Sequence, residues 1–175
     1  MLEQQLKNVI RDVADFPKPG ILFKDITPIL HNPKLCDEIV NSFATFYADK
    51  NINAIVGVES RGFLFGFALA NKLNIPFILV RKAGKLPYKT IAYEYDLEYG
   101  SAKVEMQIDE IKPNWNVVIH DDLLATGGTA EAAAKLIQMQ KGNVKGFAFI
   151  VELDFLNGKQ RLNQYSDNIV SLINY

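Results

Sequence analysis

The sequence predicts an α/β fold with a doubly wound, mainly parallel central sheet. Three observations carry that expectation. Short apolar, β-branched runs alternate along the chain with segments of helical period. Two of the runs end in turns dense in glycine, hydroxyl and charged residues, and helical spacing resumes directly after each. The length, 175 residues, suits a single domain, 1–175, with an ample core.

At the start, Leu2, Leu6, Val9, Ile10 and Val13 fall at helical spacing, with Glu3, Lys7 and Arg11 off the stripe. This predicts an amphipathic helix. Asp15 to Leu30 (DFPKPGILFKDITPIL) holds three prolines and a glycine, so no regular helix runs through it. Yet it is strongly apolar. It forms either an irregular cover or a pocket wall, where an aromatic ring could stack on a flat ligand. Asn32-Pro33 reads as a helix start, with Asn as N-cap and Pro at the first position. Leu35, Ile39, Val40, Phe43 and Tyr47 then line one face to about Lys50. The one cysteine, Cys36, lies on this helix and reads as a small packed residue.

Ile52 to Val58 is an apolar strand ending in Gly57-Val58-Glu59-Ser60-Arg61-Gly62, and Phe63 to Leu73 is helical again. An acid, a hydroxyl and an arginine at a strand's carboxyl end make either an anion-contacting turn or a solvated ion pair. Pro76 to Val80 is the next strand. Arg81 to Gly100 is long, polar and rich in tyrosine, with a basic run of Arg81, Lys82, Lys85 and Lys89 at its start. A segment of this kind is expected to be a lid or a solvated loop, and its cations suit a polyphosphate or simply face water. Ala102 to Ile108 alternates enough to be a strand that pairs back as a hairpin.

Asn116 to Ala130 (NVVIHDDLLATGGTA) is the densest stretch chemically. Asn116 to His120 is a strand, with Asp121 and Asp122 at its end. Ala125-Thr126-Gly127-Gly128-Thr129 then opens a helix reaching Met139. Small residues let the backbone approach an anion. The helix N-terminus offers free N–H groups and partial positive charge, and the threonines add hydroxyls. It is neither a Walker loop nor a G-x-G-x-x-G turn. Adjacent carboxylates can accept from vicinal hydroxyls and favour nearby positive charge. A pentose 5-phosphate satisfies both halves; the bland alternative is a capped turn with no ligand. Val144 to Leu153 is a strand, Leu156 to Leu162 a short helical turn, and Asn168 to Ile173 an edge strand.

The formal net charge of −1 argues against nucleic-acid or membrane-surface partners, which need a basic excess. No apolar run is long enough to span a membrane, no signal-peptide layout opens the chain, and no pair of cysteines exists to form a disulfide. A cytoplasmic location is expected.

Taken together, VVIHDDLLATGGTA resembles the phosphoribosyl-pyrophosphate signature of the type I phosphoribosyltransferases. DFPKPGILFKDITPIL, GVESRGFLFG, RKAGKLP and DLEYG are similar to segments of the adenine-using branch of that family, in the same order. The resemblance implies an N-terminal helix and base-binding hood over 1–35 and a flexible lid over 81–105. It implies transfer of the 5-phosphoribosyl group from phosphoribosyl pyrophosphate to adenine, giving AMP and pyrophosphate. The 5-phosphate would sit on Ala125, Thr126, Gly127, Gly128 and Thr129. Asp121 and Asp122 would face the ribose and the developing oxocarbenium ion. Glu59, Ser60 and Arg61 would contact pyrophosphate through a strained or cis peptide, with Arg81 and Lys85 joining partly across a homodimer interface. Phe23 and Leu123 would sandwich adenine, and the backbone of Leu22 and Lys24 would read its edge. Glu98 would manage the proton on adenine N7, and Arg61 would share in catalysis by offsetting leaving-group charge. Mg²⁺ would be held mainly by substrate oxygens, with no direct protein ligands of its own. His120 departs from the pattern, which carries an apolar residue there; alternation turns it away from Asp121, so it is expected to be packed or partly exposed. A 6-oxopurine substrate, or a non-catalytic sensor of phosphoribosyl pyrophosphate, are the alternatives the same signature allows.

Overall fold

The computed structural model describes residues 2–96 and 100–175. Helix α1 spans Leu2–Val9 and buries Leu6. The helical stripe predicted a longer helix, but the chain turns at Ile10 and Arg11–Ala14 becomes strand β1. It pairs antiparallel with β2, Leu22–Asp25, setting Val13 opposite Phe23. The turn between them is closed locally: Asp15 takes a φ of 57°, and its Oδ1 accepts from Gly20 N at 2.7 Å. Main-chain pairing across this hairpin outweighs the helical period of Val13, a tertiary effect invisible to spacing.

A 3-10 turn over Thr27–His31 leads into α2, Pro33–Tyr47. Asn32 caps it as expected, its side chain accepting from Leu35 N at 3.1 Å. Then follow β3 (Ala54–Val58), α3 (Gly62–Leu73), β4 (Phe77–Lys82), β5 (Thr90–Asp96) and β6 (Ser101–Gln107). Strand β7 is Asn116–Leu124, α4 Gly128–Met139, β8 Asn143–Glu152, α5 Gly158–Leu162 and β9 Ile169–Asn174.

The main sheet has the order β5-β6-β4-β3-β7-β8-β9. Strands β4, β3, β7, β8 and β9 are parallel, while β6 and β5 form an antiparallel hairpin on the β4 edge. From β3 the chain winds outward through α3 to β4, then returns to place β7 on the other side of β3. The strand order therefore reverses between β3 and β7, where parallel sheets open a crevice at their carboxyl ends. Each face carries a core. One gathers Val117, Ile119, Phe147 and Phe149 under α4; the other gathers Ile55, Val118, Ala148 and Ile150 with α1, α2 and α3.

Two expectations need correcting. The long polar segment begins inside a strand, because β4 runs on through Lys82, while Thr90–Asp96 is the arm that the expected hairpin pairs with. Isoleucine, threonine and tyrosine favour that pleated surface, and Tyr93 and Tyr95 pack on the core beneath. Strand β7 also continues past the acid pair to Leu124, because β8 pairs with it as far as Leu124 opposite Glu152. The acids thus lie within a strand and share its rigidity.

Candidate active site

The site grows from the two strand ends that flank the reversal. Strand β3 delivers Glu59, Ser60 and Arg61, and the Glu59–Ser60 peptide is cis. Helix α3 begins immediately afterwards at Gly62. A Cβ on that residue would lie 2.8 Å from the carbonyl oxygen of His120 and 3.0 Å from Asp121 Cα. Only glycine lets the helix start this close to β7, and that approach carries Arg61 to the acid pair. Arg61 Nε meets Asp122 Oδ2 at 2.5 Å. The guanidinium also lies over the Phe23 ring, 5.3 Å from its centroid.

Asp121 and Asp122 are adjacent but unlike. Asp122 is buried and has Arg61 as counter-ion. Asp121 has no salt-bridge partner among the described residues; its Oδ1 folds back to accept from Asp122 N at 2.8 Å. Burial, and then the neighbouring Asp122 carboxylate, hold the Asp121 carboxyl well above the usual carboxylate range. Its ionised form is therefore disfavoured until something cationic enters.

Beyond the acids, Ala125 to Thr129 form the expected turn. Gly127 is left-handed, with a φ of 81°, and precedes the first residue of α4. A cleft of about 80 Å³ lies on this turn, lined by Ala125 to Ala130 together with Asp121, Leu123, Leu124 and Phe149. The backbone is buttressed from behind, since Gly158 packs so tightly that a Cβ on it would sit 2.2 Å from the carbonyl oxygen of Ala125. Nothing local in the sequence signalled that support.

A second cleft, about 300 Å³, is walled by Glu59, Ser60, Arg61, Lys82, Asp121, Asp122 and Leu123. A third, about 480 Å³, lies beneath the β5–β6 hairpin and includes Glu59, Arg81, Lys82, Tyr95, Lys103, Asp121 and Thr129. Asp121 lines all three. An acid common to a glycine-threonine cradle, an acidic cleft and a cationic cleft can face one extended ligand carrying phosphate at each end.

Glu59 is engaged within the protein. Its Oε1 accepts from Arg81 Nη2 at 2.9 Å, and its Oε2 from Lys82 N at 2.9 Å. The hydrogen bond from Arg81 holds the Glu59 carboxyl below the usual range. Glu59 thus fixes Arg81 and the Lys82 main chain beside the clefts. Arg81 Nη1 also donates to the carbonyl of Lys85 at 3.1 Å. Lys85 itself is exposed and lines none of these three clefts, whereas Lys82, read from sequence only as part of a basic run, lines two. The Lys85 and Leu86 amides donate to the buried Glu105 carboxylate, which anchors that loop to β6.

On the hood, Phe23 meets Phe16 edge-on with centroids 5.1 Å apart. Leu22 and Lys24 flank it in β2 and, two residues apart, turn their main-chain groups toward the same strand edge. The Lys24 side chain is withdrawn from any such edge: its Nζ pairs with Asp12 Oδ1 at 2.7 Å and lies over the Tyr175 ring. Leu123 packs with the hood-side core. Glu98 lies outside the described residues.

His120 is fully buried, edge-on to Phe43 at 5.4 Å, and neither ring nitrogen has a hydrogen-bond partner among the described residues. The expected packing holds; the partial exposure does not, because α2 and α3 close over this strand. Burial lowers its pKa to about 4. A histidine whose folded value is depressed stabilises the fold above its unfolded pKa and loses that stability as pH falls through the interval. Unfolding in urea should therefore show the parent chain losing stability relative to His120→Val between pH 6.5 and 5, by about 2 kcal/mol. A pH-independent difference would mean that the ring is not held neutral.

The phosphoribosyl transferase domain family matches residues 25–171. The chain is 52% identical over 175 residues to the adenine phosphoribosyltransferase of Cytophaga hutchinsonii, covering 100% of this chain and 97% of that one. The chain belongs to the adenine phosphoribosyltransferase family. The family member from Ureaplasma parvum serovar 3 is 54% identical over 170 residues, 97% of this chain and 96% of its own. The fold agrees: the crystal structure of adenine phosphoribosyltransferase from Thermoanaerobacter pseudethanolicus superposes with a TM-score of 0.95, at 44% identity and 100% coverage of both chains. The Saccharomyces cerevisiae enzyme of this family, solved with an imino-altritol bisphosphate and adenine, gives a TM-score of 0.91 at 41% identity, with 98% of each chain covered.

Proposed function

We propose that this chain transfers the 5-phosphoribosyl group from phosphoribosyl pyrophosphate to adenine, releasing AMP and pyrophosphate, as a purine salvage enzyme. The observation that carries this reading is the convergence of three clefts on Asp121. The full-length likeness to adenine phosphoribosyltransferases selects the base over a 6-oxopurine.

In this reading the 5-phosphate rests on Ala125 to Thr129, met by the α4 N-terminus and the threonine hydroxyls. Arg61, Arg81 and Lys82 offset pyrophosphate charge, with Lys85 reaching it across the homodimer interface, Ser60 beside them and Glu59 holding Arg81 in place. As the bond to pyrophosphate lengthens, the ribosyl carbon becomes cationic. Asp121, short of a counter-ion, and Asp122 favour that charge. Phe23 and Leu123 bracket the adenine ring, and the β2 main chain at Leu22 and Lys24 reads its edge. Among the described residues no cluster of three or more histidine, cysteine or acidic side chains could hold a metal. The acid pair still offers hard oxygen donors beside the clefts, which suits Mg²⁺ carried by pyrophosphate and ribose oxygens. When bound, Mg²⁺ would supply further neutralisation of the leaving group.

Glu98 is proposed to manage the proton on adenine N7. Glu98→Gln should lower kcat by at least about a hundredfold while changing phosphoribosyl-pyrophosphate affinity far less; an unchanged kcat would take Glu98 out of the chemistry. A homodimer in the cytoplasm belongs to the same proposal. Among the described residues no helix is long and apolar enough to cross a membrane, and exposed Leu64 and Phe67 give α3 an apolar outer face that a second copy would cover. Steady-state assays with adenine, hypoxanthine, guanine and xanthine test the activity. Turnover of adenine supports it; turnover of hypoxanthine without adenine would replace it.

A further inference from the structure

Among the described residues, the β5–β6 hairpin meets the phosphate turn through a polar contact of Tyr95. Tyr95 Oη lies 3.1 Å from Thr129 Oγ1. The ring stands over the start of α4, its Cε2 3.6 Å from where a Cβ on Gly128 would be. It packs on the α4-side core and sits opposite small Ala102 in the hairpin register, so its direction is set by packing. Thr129 lines both the cradle and the cationic cleft beneath the hairpin, and Tyr95 lines the latter. The phenol therefore reaches the threonine hydroxyl from the cationic cleft and does not itself line the cradle.

A threonine hydroxyl has one proton and two lone pairs. Were that proton given to Tyr95, Thr129 would turn a lone pair toward the cradle and repel an anion. A phenol is the more acidic of the two and the better donor. With Tyr95 donating, the Thr129 proton is free to point into the cradle. We propose that Tyr95 is a positioning residue for phosphate recognition: it fixes the Thr129 hydroxyl as a donor to the 5-phosphate of phosphoribosyl pyrophosphate. This rests on reading Ala125 to Thr129 as the phosphate cradle.

Tyr95→Phe keeps the ring and removes only the hydroxyl. It should weaken phosphoribosyl-pyrophosphate binding about fivefold by calorimetry, raise its KM in step, and move the adenine KM by less than about twofold. Tyr88→Phe, on an exposed side chain of the preceding loop, should match the parent. Adding Tyr95→Phe to Thr129→Val should cost almost nothing further, because the pair acts as a unit. Unchanged binding in Tyr95→Phe, equal losses toward both substrates, or additive losses in the double variant would each overturn the inference. The calorimetric arm separates the claims. A parent chain that binds phosphoribosyl pyrophosphate but makes no AMP refutes the activity and leaves Tyr95 to be judged by binding. A parent chain that does not bind it refutes the cradle and the inference together.

Discussion

Asp121→Asn with Asp122→Asn should lower kcat for AMP formation by at least about a thousandfold, since removing one preorganised electrostatic group typically costs a hundred- to a thousandfold. The acids differ in how they would contribute. Asp122 is already matched by Arg61, so its replacement mainly frees a cation, while Asp121 has no ion-pair partner among the described residues and lies where the three clefts meet. The fold should survive. Asparagine preserves shape and hydrogen-bonding capacity, and the Arg61 side chain, 43% exposed, can turn to water. Circular dichroism should match the parent. A loss below about tenfold would remove the pair from transition-state stabilisation, and an unfolded double variant would make the pair structural.

Gly158→Ala, one methyl group on a residue outside every predicted motif, should damage the phosphate turn from behind. The new Cβ would sit 2.2 Å from the Ala125 carbonyl oxygen and 2.9 Å from Leu124 Cδ1. Backbone cannot rotate aside as a side chain can, so the turn itself must shift. Stability in urea should fall by about 3 kcal/mol, in the upper range for overpacking. The KM for phosphoribosyl pyrophosphate should rise at least about tenfold, since a displacement near one ångström spoils a positioned site. The adenine KM should change far less. Equal damage to both constants would show that the methyl group loosens the whole domain and leaves the turn no worse than the rest.

What could be read beforehand was what local chemistry fixes. Asn32 and Pro33 start a helix by their own geometry, and the Gly127-Gly128 turn and the acid pair carry their chemistry within a few residues. What escaped depends on residues distant in sequence. Gly158 matters only because the fold sets it against Ala125, and Tyr95 only because the hairpin crosses α4. Lys82 gained a place on two cleft walls because β4 runs one turn of pleat further than its apolar run suggested. Val13 looked helical until the β1–β2 hairpin claimed it. Alternation turned His120 from Asp121, yet its full burial comes from two helices packed over the strand.

The two cores lie on opposite faces of the sheet, and the site draws on both: the cradle belongs to the α4 side, Leu123 and the hood to the other. A molecule gripping cradle and hood together would bridge layers that lie on opposite faces of the sheet. Mass action then makes occupancy a mechanical brace, worth about 2.7 kcal/mol when ligand stands at a hundred times its dissociation constant. Fluctuations that part either helical layer from the sheet would be damped together, so a well-supplied cell would hold this protein in a stiffer and more protease-resistant form than a starved one.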